Sequence, residues 1–126
     1  EFGSMSYGCA DTTAMAKQAN VDYVELVKRC LKKDDAAMRV LFSLDKAADF
    51  DAASAQGHAT VLGVVLRKVG DDFFAECIAR ESEDTQRRVY MDLLYDAGYD
   101  PPLNPIPDLK KRFPKTFSNS SLARAH

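Results

Sequence analysis

The run Val61-Leu62-Gly63-Val64-Val65-Leu66, preceded by Ala52, Ala53, Ala55, Gly57 and Ala59 and closed by Gly70, decides the fold. Over residues 51–69 apolar side chains fall nearly all round a helix, the mark of an element enclosed by neighbours. The small residues let those neighbours' backbones approach closely. The segment is therefore expected at the centre, with the rest of the chain packed around it.

Working outward, residues 11–98 contain no proline, and their apolar side chains recur at three- and four-residue spacings. That is the helical period, and strand-like alternation is absent, so the chain reads as all-α. Upstream, a short helix is expected after Asp11, and Asn20 is expected to cap a second with the stripe Tyr23, Val24, Val27, Cys30 and Leu31. Asp34 or Asp35 can start a third, with Ala37, Val40, Leu41 and Leu44 on one face. Downstream, Gly70 ends the central segment, and Asp71 or Asp72 can cap a helix carrying Phe73, Phe74, Cys77 and Ile78. Ser82, with Glu83 and Asp84 at the positive end of the dipole, starts the next, which buries Val89, Tyr90, Leu93 and Leu94 and closes at Gly98. Connections this short predict antiparallel neighbours, as a small bundle or as stacked helical hairpins.

Internal repetition gives the second possibility a family. Ala53-Ser54-Ala55-Gln56-Gly57-His58-Ala59-Thr60-Val61-Leu62 resembles the helix pair of an ankyrin repeat, with small residues, a Gly-His turn and then aliphatics. Leu93-Leu94-Tyr95-Asp96-Ala97-Gly98-Tyr99-Asp100-Pro101 is similar to the end of such a unit, and Ala47-Ala48-Asp49-Phe50-Asp51-Ala52 to the same junction one unit earlier. The resemblance covers residues 36–100 and implies stacked hairpins with Asp49, Asp71 or Asp72, and Asp100 in equivalent loops. The units are shorter than the family's period of about 33 residues and lack its Thr-Pro-Leu-His signature, which leaves little room for a protruding β-hairpin.

The 126 residues suit one domain. Glu1 to Ser4 precede Met5 and read as a cloning scar, residues 5–100 as the helical domain, and residues 101–126 as an extension. Residues 1–100 carry 18 acidic and 12 basic side chains, whereas the extension carries Lys110, Lys111, Arg112, Lys115 and Arg124 against Asp108 alone. A basic tail thus follows an acidic body. Pro101, Pro102, Pro105 and Pro107 forbid a helix interior, but Pro107 can open a short helix in which Leu109 and Phe113 share a face, ended by Pro114. Leu109, Phe113 and Phe117 are the expected anchors by which this tail docks on the helices; the alternative is a solvated tail that orders on meeting a partner. The last residues, from Ser118-Asn119-Ser120-Ser121 onward, are expected to be disordered.

The chemistry of catalysis is hard to assemble here. Only His58 and His126 can serve as imidazole bases, and His58 is expected to stabilise the Gly-His turn rather than activate Cys77. Cys9, Cys30 and Cys77 lack metal-type spacing, and Cys30 and Cys77 sit among apolar residues as small buried hydrophobes. The acidic groups Asp34-Asp35, Asp71-Asp72 and Glu81-Glu83-Asp84 stand where helix starts are expected, so capping accounts for them. No phosphate-cradling glycine pattern and no calcium-loop alternation occurs. No cofactor and no metal is expected.

No apolar run approaches the roughly 18–20 residues that cross a bilayer, so no membrane partner is expected. An odd number of cysteines favours a reducing, cytoplasmic setting, although a signal peptide already removed would leave no trace. The acidic body opposes nucleic acid, whose contact would fall to Lys110, Lys111, Arg112 and Lys115. The expectation is a non-enzymatic module that binds another protein: an adaptor, an inhibitor, or a toxin-neutralising or effector-type protein. Its contact residues are expected at successive junctions, as Phe50 with Asp51, Asp72 with Phe73, and Tyr99 with Asp100. The rival is a small enzyme using Cys77 and His58 or a carboxylate cluster.

Overall fold

In the computed structural model, residues 16–17, 20–47, 52–96 and 109–118 are described. Every regular element among them is helical: α1 Tyr23–Leu31, α2 Asp35–Ala47, α3 Ala52–Val69, α4 Asp71–Ala79, α5 Glu83–Asp96, α6 Leu109–Arg112 and α7 Pro114–Ser118. The all-α expectation holds.

The central segment forms α3, which is 18 residues and therefore about 27 Å long. It packs against α1, α4 and α5, most extensively against α5. Gly57, His58, Ala59, Val61, Leu62, Gly63, Val65, Leu66 and Val69 are buried along it. The expected turn at Gly57-His58 is absent, because α3 runs straight through both residues. A glycine inside a helix costs about 1 kcal/mol relative to alanine, less than the burial of the surrounding aliphatic side chains supplies. His58 thus lies in a helix interior, fully buried, where Nδ1 shares a 2.8 Å hydrogen bond with the Tyr23 hydroxyl of α1.

Two helix starts depart from the expected chemistry. Asn20 does not cap α1; it sits at φ 64° and closes the preceding turn, its amide donating to the Lys17 carbonyl and that of Val21 to the Ala16 carbonyl. That pairing is a Schellman closure, which needs a left-handed residue and accepts asparagine. Asp22 caps α1 instead, its carboxylate accepting from the Glu25 amide at 3.2 Å. The same closure recurs at the end of α1 with Lys33 at φ 63°. At α4 the cap position belongs to Gly70, at φ 94°, and no side chain caps the helix. Asp71 and Asp72 lie inside its first turn.

Other starts follow the side-chain logic. Asp34 accepts from the Ala37 amide at 3.1 Å to begin α2, and the Ser82 hydroxyl accepts from the Thr85 amide at 3.2 Å to begin α5. Gln86 reaches back from α5, donating to the Ile78 and Glu81 carbonyls at the end of α4, both at 3.1 Å.

The core joins α1 to α5 with the tail. Tyr23, Leu26, Val27 and Cys30 come from α1, and Ala37, Met38, Leu41, Phe42 and Leu44 from α2. Val40, expected inside, is 39% exposed. At 100° per residue the buried arc of α2 runs from Leu44 through Ala37 and Leu41 to Met38 and Phe42, and Val40 falls outside it. Phe42 and Phe74 meet edge to face, with centroids 5.3 Å apart. Val89, Tyr90, Leu93 and Leu94 are buried on α5, and Phe113 and Phe117 of the tail join the same cluster. Pro114 ends α6 as expected, but it also opens α7, since its ring presets a first-turn φ and its missing N–H is not needed there.

Candidate functional site

Of the expected contact residues, Phe50, Asp51, Tyr99 and Asp100 lie outside the described residues, as do Cys9, Gly98, His126 and the prolines at 101, 102, 105 and 107. Leu109 opens α6, but its side chain also falls outside them. The described pair is Asp72 and Phe73. Phe73 is half-buried and packs against the core rather than standing as an exposed anchor. Asp72 is exposed and meets the Lys115 ammonium of α7 at 2.7 Å.

Asp71 is engaged more deeply with the tail. Its Oδ2 accepts from the Lys115 amide and its Oδ1 from the Thr116 amide, each at 2.8 Å, and the Thr116 hydroxyl donates to Oδ1 at 2.7 Å. Lys115 and Thr116 are the second and third residues of α7, whose amides a capping side chain normally satisfies. Phe113 precedes Pro114 and has no group with which to do so. A carboxylate from α4 thus caps α7 in trans. Burial alone would raise the Asp71 carboxyl, but the bonds from the Thr116 hydroxyl and the two amides outweigh it and hold the group below its ordinary 3.8.

Three further carboxylates meet arginines. Asp34 pairs with Arg29 at 2.9 Å, Asp35 with Arg80 at 3.2 Å, and Asp84 with Arg88 at 3.1 Å. The two described thiols are buried. Burial pushes Cys30 up to about 12 and Cys77 up to about 11, the latter helped by the Asp35 carboxylate that accepts its S–H at 3.6 Å. Cys77 is therefore bonded to a carboxylate, while the imidazole of His58 is bonded to Tyr23. Among the described residues no group of three or more His, Cys, Asp or Glu could hold a metal ion, and no described helix is long and apolar enough to cross a membrane.

The feature that the sequence reading missed lies on the outer side of α5. Met91 and Tyr95 are 46% and 53% exposed although both are large and apolar in body. With Asp92 they face Ala55, Gln56 and Ala59 of α3 across a groove of about 380 Å³. Residues four apart on a helix stack on one face, so Met91 and Tyr95 form one wall, and Ala55 and Ala59 a shallow opposite one. The signal was present in the sequence, as two large side chains four apart on the face that the Val89, Tyr90, Leu93, Leu94 stripe leaves to solvent. A second, larger groove of about 660 Å³ is polar, lined by Asp72, Glu76, Gln86, Tyr90 and Lys115, with Ala75 and Ala79 among its apolar residues.

No protein family, characterised protein or solved structure matches the chain.

Proposed function

We propose that this all-α protein is a non-enzymatic binding module for another protein, and that the groove between α3 and α5 receives an apolar side chain of the partner. The single observation that carries the reading is the exposure of Met91 and Tyr95, one turn apart, above the small side chains of Ala55 and Ala59. Exposed single apolar residues are ordinary, but an apolar groove between two helices can receive an apolar side chain of a partner helix. Methionine adapts to irregular shapes, and tyrosine supplies apolar area with a polar tip. The thiol-based alternative is opposed by Cys30 and Cys77, which stay protonated near neutral pH. Buried free thiols at Cys30 and Cys77 also suit a reducing setting such as the cytoplasm.

The test is capture of partners from the source cell's lysate with the wild type, Met91→Ser, Tyr95→Ser and the double variant. Both positions are exposed, so each single change should alter stability by no more than about 0.5 kcal/mol. Loss of the same captured protein from all three variants, with unchanged melting, is the expected result. Undiminished capture by the double variant would remove the groove from the interface.

A further inference from the structure

The way α7 is held describes a recognition site in its own right. Four or five residues of helix do not persist alone in water, because nucleation fixes several dihedrals for one hydrogen bond. Pro114–Ser118 is helical here because α4 satisfies its first free amides through Asp71, while Phe113 and Phe117 are buried at its two ends. Phe117 lies against Tyr90 of α5 with ring centroids 5.5 Å apart. Asp72 takes the charge of Lys115, and the Thr116 hydroxyl, buried, goes to Asp71. Pro114 is exposed and opens the helix, and the contacts read the positions around it: a buried apolar residue at 113, a basic residue at 115, threonine at 116 and an aromatic at 117. None of them depends on the segment being covalently part of this chain.

We propose that the surface formed by Asp71, Asp72 and Tyr90 is a docking site for a segment of a partner protein with that pattern, and that residues 113–117 occupy it as a tethered competitor. Charge favours such a segment, because the site offers two carboxylates and the occupant a cation and free amides. The tether keeps the local concentration of the competitor high, so a partner gains entry when it outcompetes the tail or when the tail is weakened. This site lies on the α4 side of the molecule and stands independently of the α3–α5 groove.

The experiment uses the full chain and a fluorescein-labelled peptide of residues 109–118, followed by anisotropy. Phe117→Ala weakens the chain's own tail while leaving Asp71, Asp72 and Tyr90 in place. The peptide should bind this variant at least about tenfold more tightly than the wild type, the factor gained when a tethered competitor is removed. Adding Asp71→Ala to that variant should abolish the gain, and a peptide carrying Phe117→Ala should not bind. Equal binding to wild type and variant, or no binding to either, would overturn the proposal. If Phe117→Ala disturbs the fold, the wild type under excess peptide gives the answer by amide exchange. Displacement should speed exchange at Lys115 and Thr116, and unchanged protection overturns the proposal.

Discussion

Removing the Asp71 carboxylate is the sharpest perturbation of this fold, because one side chain supplies the start of a helix 44 residues away in sequence. In Asp71→Ala the amides of Lys115 and Thr116 and the Thr116 hydroxyl lose their acceptor together. Loss of a capping side chain costs about 0.5–2 kcal/mol. Bonds to a charged acceptor argue for the upper half of that range, and the half-exposed position argues against exceeding it. An expected loss of about 1–2 kcal/mol corresponds to a fall of roughly 3–10 °C in Tm for a domain of this size. The loss cannot exceed the free energy with which the tail docks, since a fully released tail has nothing further to lose. Phe117→Ala, which empties a buried aromatic site, should therefore cost more than Asp71→Ala, and the double variant little more than Phe117→Ala alone. Asp72→Ala, which breaks an exposed ion pair, should cost less than about 1 kcal/mol. The pH dependence has a definite sign. The folded-state pKa of Asp71 lies below its ordinary 3.8, so its contribution is complete above that value and fades as pH falls through the folded pKa. The gap in Tm between wild type and Asp71→Ala, measured by circular dichroism, should thus be constant near neutrality and close in acid. An unchanged Tm in Asp71→Ala, or a gap that widens on acidification, would refute the trans cap.

Lys33 sits at φ 63°, a left-handed conformation that costs a residue with a Cβ about 1–2 kcal/mol, so Lys33→Gly should stabilise the protein by roughly 0.5–1 kcal/mol in urea unfolding. Cys77 should react slowly with a thiol reagent in the native protein at neutral pH and rapidly in denaturant, because burial and Asp35 push its pKa up to about 11; fast native labelling would contradict that environment. Tyr23→Phe removes the hydroxyl that shares a buried hydrogen bond with His58, so a loss of about 0.5–1.5 kcal/mol is expected on thermal melting.

Much of this architecture was written in periodicity. The enclosed character of residues 52–69, the stripe Val89, Tyr90, Leu93 and Leu94, and the starts at Asp34 and Ser82 all depend on spacings of three or four residues, which a helix converts directly into one face or one turn. The α3–α5 groove was half legible. Met91 and Tyr95 announce themselves by falling on the polar side of α5, but nothing local says that Ala55 and Ala59 come to face them. Gly57-His58 misled for a related reason, since the same dipeptide suits a turn or a helix, and only the Tyr23 hydroxyl within reach of His58 shows which environment it enjoys.

What the sequence alone determined was therefore the helical class, the central element and the apolar faces, because each follows from neighbours along the chain. The tertiary structure alone decided where Asp71 points. A carboxylate in the first turn of α4 is satisfied by its own helix in any local reading, yet Gly70 takes the cap position and leaves that side chain to turn outward. The amides it meets belong to a segment 44 residues on, brought there by the burial of Phe113 and Phe117. Contacts of that separation have no period in the sequence, since they depend on how finished helices pack and not on how each one forms.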